Sequence, residues 1–179
     1  MYQFRKITPT ATTVLAVPPI EAICQIDYPK DYGYIIFTEH LKGAVLKLHL
    51  KNLPPGIHGM HIHASADRRD GCGSTCAHYN PYKGTHKDVN QTGNHLGDLG
   101  NIEVRSDGSC EAIITVDNLP LVGPIQIMGR CVVIHEKDDD LGLGIGSDQA
   151  ESIKTGNSGA RIACGIIGYY EKMDTQKKV

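Results

Sequence analysis

Val45-Leu46-Lys47-Leu48-His49-Leu50 alternates strictly, Leu46, Leu48 and Leu50 facing one way and Val45, Lys47 and His49 the other. A pleated strand sends successive side chains to opposite faces, so this segment reads as a half-buried strand. Glu111 to Asp117 repeats the pattern, with Ala112, Ile114 and Val116 opposing Glu111, Ile113, Thr115 and Asp117. Working outward, Ala22 to Asp27, Tyr34 to Glu39, Gly59 to His63, Gly100 to Arg105, Arg130 to Glu136 and Arg161 to Tyr170 bring the total to about eight strands, typical of closed or sandwiched Greek-key sheets. Ser106-Asp107-Gly108 reads as a hairpin turn, since Gly tolerates positive φ. No long helical period and no internal repeat interrupts this pattern, and 20 glycines without a single tryptophan suit a loop-rich chain. The expectation is an all-β, eight-stranded Greek-key β-barrel or sandwich. At 179 residues it makes one domain, with a core large enough to need no metal or crosslink as a staple.

Two segments do not read as strands. Residues 64–97 are rich in Gly, Asp, Asn, Thr and His, and residues 137–160 carry D-D-D, L-G-L-G-I-G and T-G-N-S-G. Loops this long in a compact domain usually carry function. His61 and His63 leave one face of a strand while Met60 and Ile62 leave the other. His78, His86 and His95 follow in the first long loop with Asp98 just after it, and His135 ends the apolar run in G-R-C-V-V-I-H-E. Copper and zinc prefer imidazole nitrogen, with carboxylate as an occasional further ligand. Six imidazoles and one carboxylate fall short of the eight donors that two separate four-coordinate sites need. If one imidazole serves both metals, seven side chains suffice, and the count points to a bridged two-metal centre. A lone H-x-H carries little weight; the set of seven carries much more.

Composition narrows the remaining classes. With 18 basic and 20 acidic residues the formal net charge is -2, so no basic tract advertises nucleic acid. No run approaches the ~20 apolar residues that span a bilayer. Near the N-terminus, Val14-Leu15-Ala16-Val17 is short, preceded by threonines and followed by Pro18-Pro19, which reads as an extension and not a leader. A cytoplasmic protein is the resulting expectation. Six cysteines, at 24, 72, 76, 110, 131 and 164, lack C-x-x-C spacing and read by themselves as reduced, mostly buried thiols whose pairing stays open.

The motifs G-M-H-I-H, G-C-G-S-T-C-A-H-Y-N-P, H-L-G-D-L-G-N, G-R-C-V-V-I-H-E-K-D-D-D-L-G and K-T-G-N-S-G-A-R-I-A-C-G-I-I-G, in that order, resemble the copper-zinc superoxide dismutase family. The resemblance covers roughly Glu21 to Gly168. It implies a homodimeric antioxidant oxidoreductase that converts superoxide and protons to dioxygen and hydrogen peroxide, with copper and zinc as cofactors. Copper would be held by His61, His63, His78 and His135, and zinc by His78, His86, His95 and Asp98, so that His78 bridges the two and doubles as a proton carrier. Asp139 would link His61 and His86 from behind. Arg161 would stand beside copper, with Thr155 across the channel and Lys137 and Lys154 as steering charges. Cys72 and Cys164 would form a disulfide, and a copper chaperone is a possible partner. His58 matches a position of structural role, whereas His40 and His49 fall outside the ligand set.

The division that follows is an extension over 1–20, a dismutase-like domain over 21–170 and a polar tail over 171–179. The chain departs from the family at Ala64-Ser65-Ala66-Asp67, beside the expected dimer interface, in a somewhat longer stretch between Asp140 and Arg161, and in Ile162, where some chaperone-dependent members have proline. Cys76 has no counterpart in the pattern. The rival readings are a copper chaperone, which should show a separate metal-capture domain or C-x-C tail, and a catalytically inactive dismutase-like copper-binding or decoy protein, which should have lost ligands or the arginine. The sequence shows neither sign.

Overall fold

The computed structural model describes residues 18–171. The apolar stretch at 14–17 and nearly all of the extension and tail lie outside the described residues. Eight strands run in the order β1 Glu21–Gln25, β2 Gly33–His40, β3 Gly43–Leu50, β4 Gly56–His63, β5 Asp98–Val104, β6 Cys110–Asp117, β7 Cys131–His135 and β8 Arg161–Tyr169. They hydrogen-bond antiparallel in the sequence β5-β4-β7-β8-β1-β2-β3-β6, which curls into a nearly closed barrel. All eight expected strands are present, with ends shifted by a few residues. The β1-β2-β3 meander and the β4-β5 and β7-β8 pairs join consecutive strands, the connections after β3 and β6 cross from one part of the barrel to another, and a tight turn links β5 to β6.

The alternation that identified β3 has its physical cause in the core. Ala44, Leu46, Leu48 and Leu50 are buried, as are Ile35 and Phe37 on β2, and β2 pairs with β3 from Gly33↔Leu50 to His40↔Gly43. Each leucine, isoleucine or phenylalanine among them contributes about 1.5 to 3 kcal/mol when fully buried, which fixes the register, because a one-residue slip would turn the whole row to water. β7 is buried on both faces. Val132 and Ile134 enter the barrel core, whereas Cys131 and Val133 form a second small cluster with Cys72 and Cys164. β4 is likewise two-sided: Met60 and Ile62 fill the core, and His61 and His63 are buried on the other side. The histidines therefore sit outside the barrel wall, under the long loops.

The Ser106-Asp107-Gly108 turn forms, with Gly108 at φ 80° and its N–H donating to the Arg105 carbonyl at 2.9 Å. It does not close a hairpin ladder, however. β5 and β6 are the two ends of the strand order, so the turn spans the seam of the barrel. Turn chemistry reports a local reversal of the chain and says nothing about pairing beyond it. In the second long loop the sequence reading missed a helix, α1 Gln149–Thr155, preceded by a 3₁₀ turn at Gly146–Asp148. Lys154 in its last turn and Gly156 after it, left-handed at φ 66°, were the available signals. Seven residues are too few to show helical periodicity against a glycine-rich background.

Among the described residues, no helix is long and apolar enough to cross a membrane.

Candidate metal centre

The site begins with register. His61 lies opposite Asp98 on β5 and opposite Val133 on β7, and irregularities between Gly59 and His61 and between Ile134 and His135 re-aim the chain beside it. His63 makes an isolated bridge with His78, which brings the first long loop back over β4. Arg130 pins that loop further, its guanidinium 3.4 Å from the centre of the Tyr79 ring and donating to the Ala64 carbonyl at 2.8 Å. The two long loops meet where the His86 N–H donates to the Ile153 carbonyl on α1 at 2.8 Å.

Two quartets result. Ligand atoms of His61, His63, His78 and His135 lie within 4.8 Å of one another, as do those of His78, His86, His95 and Asp98. All seven residues are buried, and His78 belongs to both groups. A third group joins His61, His86 and Asp139. Every candidate ligand expected from the sequence is thus brought to one place.

Hydrogen bonds fix which nitrogen of each ring is left for a ligand. The His63 Nδ1–H donates to the Cys76 carbonyl at 2.8 Å, and the His135 Nδ1–H to the Gly159 carbonyl at 3.1 Å, leaving both Nε2 atoms facing each other at 3.4 Å. The His61 Nε2–H donates to Asp139 Oδ2 at 2.8 Å, and the His86 Nε2–H to Asp139 Oδ1 at 2.7 Å. His78 turns Nδ1 to Asp98 Oδ1 at 3.0 Å. Its Nε2 is left on the side of the first quartet. Two buried nitrogens, His61 Nδ1 and His95 Nδ1, have no hydrogen-bond partner among the described residues, although His95 Nδ1 lies 3.3 Å from Asp98 Oδ1. An unpartnered buried nitrogen costs about 1 to 3 kcal/mol, and one such atom belongs to each quartet, so both fit a bound cation.

Electrostatics divide the two sides. Burial pushes His61 down to about 3, against the pull of Asp139, and it pushes His63 down to about 2 and His135 to about 4. These rings are neutral at pH 7, as metal ligands must be. Burial would also lower His86, but its bonds to Asp139 and Asp98 prevail and raise it to about 9. Burial works against ionisation of Asp98 and Asp139, yet their histidine partners hold both well below the usual carboxylate range.

A cleft of about 940 Å³ leads to the first quartet. His63, His78 and His135 lie at its base, and Arg161, Thr155 and Lys154 line it. Arg161 is clasped by the disulfide-bearing loop: Nη1–H donates to the Cys72 carbonyl at 2.9 Å and to Thr75 Oγ1 at 3.0 Å, and Nη2–H to the Cys76 carbonyl at 2.7 Å. Cys72 and Cys164 are bonded, while Cys24, Cys76, Cys110 and Cys131 are free. Lys137 is not among the lining residues; its stem packs over Gly159 beside the cleft. Two contributors went unassigned in the sequence. Asn101, within the quoted L-G-N, donates Nδ2–H to the Asp139 carbonyl at 2.9 Å and accepts the Asp139 N–H at 2.7 Å. Glu151 lines the cleft and accepts from Thr155 Oγ1 at 3.0 Å. His58 bridges the His135 and Pro54 carbonyls, both at 2.8 Å, and His49 pairs on the surface with Glu111.

A family model described as copper/zinc superoxide dismutase matches residues 31–167. The chain is 40% identical over 163 residues to an extracellular superoxide dismutase [Cu-Zn] of Brugia pahangi, spanning 91% of this chain and 78% of that one. It is 49% identical over 137 residues to a superoxide dismutase [Cu-Zn] of Onchocerca volvulus, with 75% and 87% covered. It is 42% identical over 158 residues to an extracellular superoxide dismutase [Cu-Zn] of Drosophila melanogaster, with 84% and 86% covered. Among solved structures, one titled as that of the clock protein EA4 superposes with a TM-score of 0.78 at 37% identity, covering 89% of this chain and 100% of the other. The relatives named extracellular overturn the cytoplasmic placement expected above. That expectation leaned on the bland composition of residues 14–17, and neither ligand chemistry nor the barrel distinguishes one compartment from another.

Proposed function

Because this chain belongs to the copper/zinc superoxide dismutase family, we propose that its two ligand quartets divide the work of that activity between them. The chain is a superoxide dismutase, an oxidoreductase acting on superoxide, and copper and zinc are its metals. In this reading His61, His63, His78 and His135 hold copper, and His78, His86, His95 and Asp98 hold zinc. The observation that carries it is the position of His78, common to both quartets with Nδ1 turned to Asp98. When bound, copper supplies one-electron exchange in both directions while zinc supplies charge and order without redox chemistry.

The chain's own groups do the rest. Arg161 presents a fixed cationic fork to an incoming anion, its other donors occupied by the loop that carries Cys72. Thr155, held by Glu151, narrows the cleft across from it. His78 Nε2 is aimed toward the cleft and is the atom suited to hold a proton and hand it to a reduced dioxygen species, since Nδ1 is engaged by Asp98. Asp139 keeps His61 and His86 in the tautomer that leaves each Nδ1 for a ligand.

The same reading takes residues 21–170 as the dismutase unit, with 1–20 and 171–179 as flanking segments, and has the protein work outside the cell, as the names of several relatives do. It includes a homodimer, supported by the exposed Ile166 and Tyr169 on β8, and copper delivered by a chaperone. An inactive decoy is not favoured, because the relatives are named as dismutases. Crystals of the metal-loaded protein, with anomalous data collected at the copper and zinc edges, test the assignment. One metal in each quartet with His78 common to both is expected; two metals sharing no residue would overturn it.

A further inference from the structure

Asn90-Gln91-Thr92 is an N-x-T triplet without an intervening proline, and no other Asn in the sequence begins an N-x-S or N-x-T triplet. Such a triplet in a surface loop of a secreted protein is an acceptor for N-linked oligosaccharide. All three residues are exposed, in the turn region of the first long loop, and none lines the cleft that leads to the histidines. We propose that Asn90 is the acceptor of an N-linked glycan, an inference that rests on the extracellular reading above.

The local geometry says what the modification would meet. Asn90 is left-handed at φ 66°, and its side chain lies against β6, the last strand in the barrel order. Oδ1 accepts the Asp117 N–H at 2.7 Å and Nδ2 donates to the Thr115 carbonyl at 3.0 Å. In the transfer, Nδ2 bonds to C1 of the oligosaccharide, the bond from C1 to the pyrophosphate oxygen of a lipid-linked donor breaks, and one Nδ2 proton leaves. The donor acts on the chain as it enters the secretory lumen, before β6 has engaged the amide. Oδ1 is untouched by this chemistry, so the bond from Asp117 survives in the folded glycoprotein, and Nδ2 keeps one hydrogen.

The surroundings suit a sugar. Beside Asn90 lies a cleft of about 550 Å³ lined by Tyr82, Asn94, Asp117 and Asn118, and the Tyr82 ring is 64% exposed. An exposed aromatic face receives the C–H side of a pyranose, and amides and a carboxylate receive its hydroxyls. A glycan seated there would also cover the end strand β6, a type of edge that otherwise invites pairing with another chain.

The full chain, directed by an added cleavable leader into the secretory pathway of insect cells, provides the test. Mass spectrometry should find a glycan on Asn90 that peptide-N-glycosidase removes, leaving aspartate at that position. Thr92→Ala keeps Asn90 and both of its hydrogen bonds, and should abolish the glycan while leaving dismutase activity unchanged. Secreted, active wild-type protein with an unmodified Asn90 would overturn the proposal. Antibody detection in the medium of the source cells tests the extracellular reading separately: if the protein is absent there while the leader-directed chain carries the glycan, that reading falls and the acceptor assignment stands.

Discussion

Asp139 holds His61 with one oxygen and His86 with the other, at 2.8 and 2.7 Å, yet the two imidazoles answer oppositely. His61, crowded by His78 and His135 as well as buried, is pushed down to about 3, whereas His86 feels Asp98 in addition and is raised to about 9. At neutral pH the metal-free protein therefore carries a proton on His86 and none on His61, His63 or His135. Zinc uptake must expel the His86 proton, while copper uptake through the three depressed imidazoles expels none from them. Calorimetry in buffers of different ionisation enthalpy should accordingly find about one proton more released by zinc than by copper near pH 7. The sign follows directly: below the raised value of about 9 the His86 proton weakens zinc binding by roughly tenfold per unit of acidification, whereas protonation of His61, His63 and His135 leaves copper binding nearly untouched until about pH 4 is approached. Equal proton release by both metals would refute the asymmetry. Asp139→Asn isolates the carboxylate itself. An amide has only one oxygen to accept with, so one of the two rings loses its anchor, and metal affinity measured by chelator competition should fall about 10- to 100-fold. Asn101, which brackets the Asp139 backbone from both sides, keeps the backbone in place and makes this a change of chemistry more than of shape.

At the scale of elements, the decisive connection is between the loop that follows β4 and the strand β8. The disulfide joins them across a sequence separation of 92, and the carbonyls of Cys72 and Cys76 then grip Arg161, three residues before Cys164. Cys164→Ser should lower stability by about 4 to 5 kcal/mol on the chain-entropy account, and should also lower turnover per bound copper because the arginine loses its clasp. Thermal unfolding together with activity normalised to copper content separates the two effects; full specific activity in the variant would show that the clasp holds without the crosslink. This coupling also explains what could be read from sequence. Strands β2, β3 and β6 were legible because Leu46, Leu48 and Leu50 and their partners alternate against one core, and the ligand set was legible because histidine is scarce and its chemistry narrow. The grip on Arg161 was not, since backbone carbonyls leave no mark on residue identity. Nor was α1, where Gly156 is required by a neighbour and not by the helix alone: a Cβ there would come within 1.9 Å of Asp139 Oδ1 and 2.5 Å of His86 Nε2. The seam between β5 and β6 likewise depends on how the whole sheet curls, which no local pattern encodes.

The molecule as a whole carries a formal charge of -2, so its net field repels the anion it consumes. Capture must come from local potential at the cleft, where Arg161 and Lys154 stand among the lining residues with Glu151 as the one lining carboxylate among the described residues. The family is an established case of electrostatic steering, and such capture weakens as salt shortens the screening length to about 8 Å at physiological ionic strength. Turnover at limiting superoxide should therefore fall steadily with ionic strength. The two lysines are not equivalent in this structure: Lys154 lines the cleft from α1, whereas Lys137 is not among its lining residues and rests its stem on Gly159 at its side. Lys154→Gln should cut the second-order rate several-fold at low salt, roughly within the range by which steering raises encounter rates, and should flatten the salt dependence. Lys137→Gln should do less of both. Stopped-flow measurements across a salt series on the two variants decide the point, because a rate indifferent to salt, or a larger loss at Lys137 than at Lys154, would mean that the cleft lining is not what guides superoxide to the histidines.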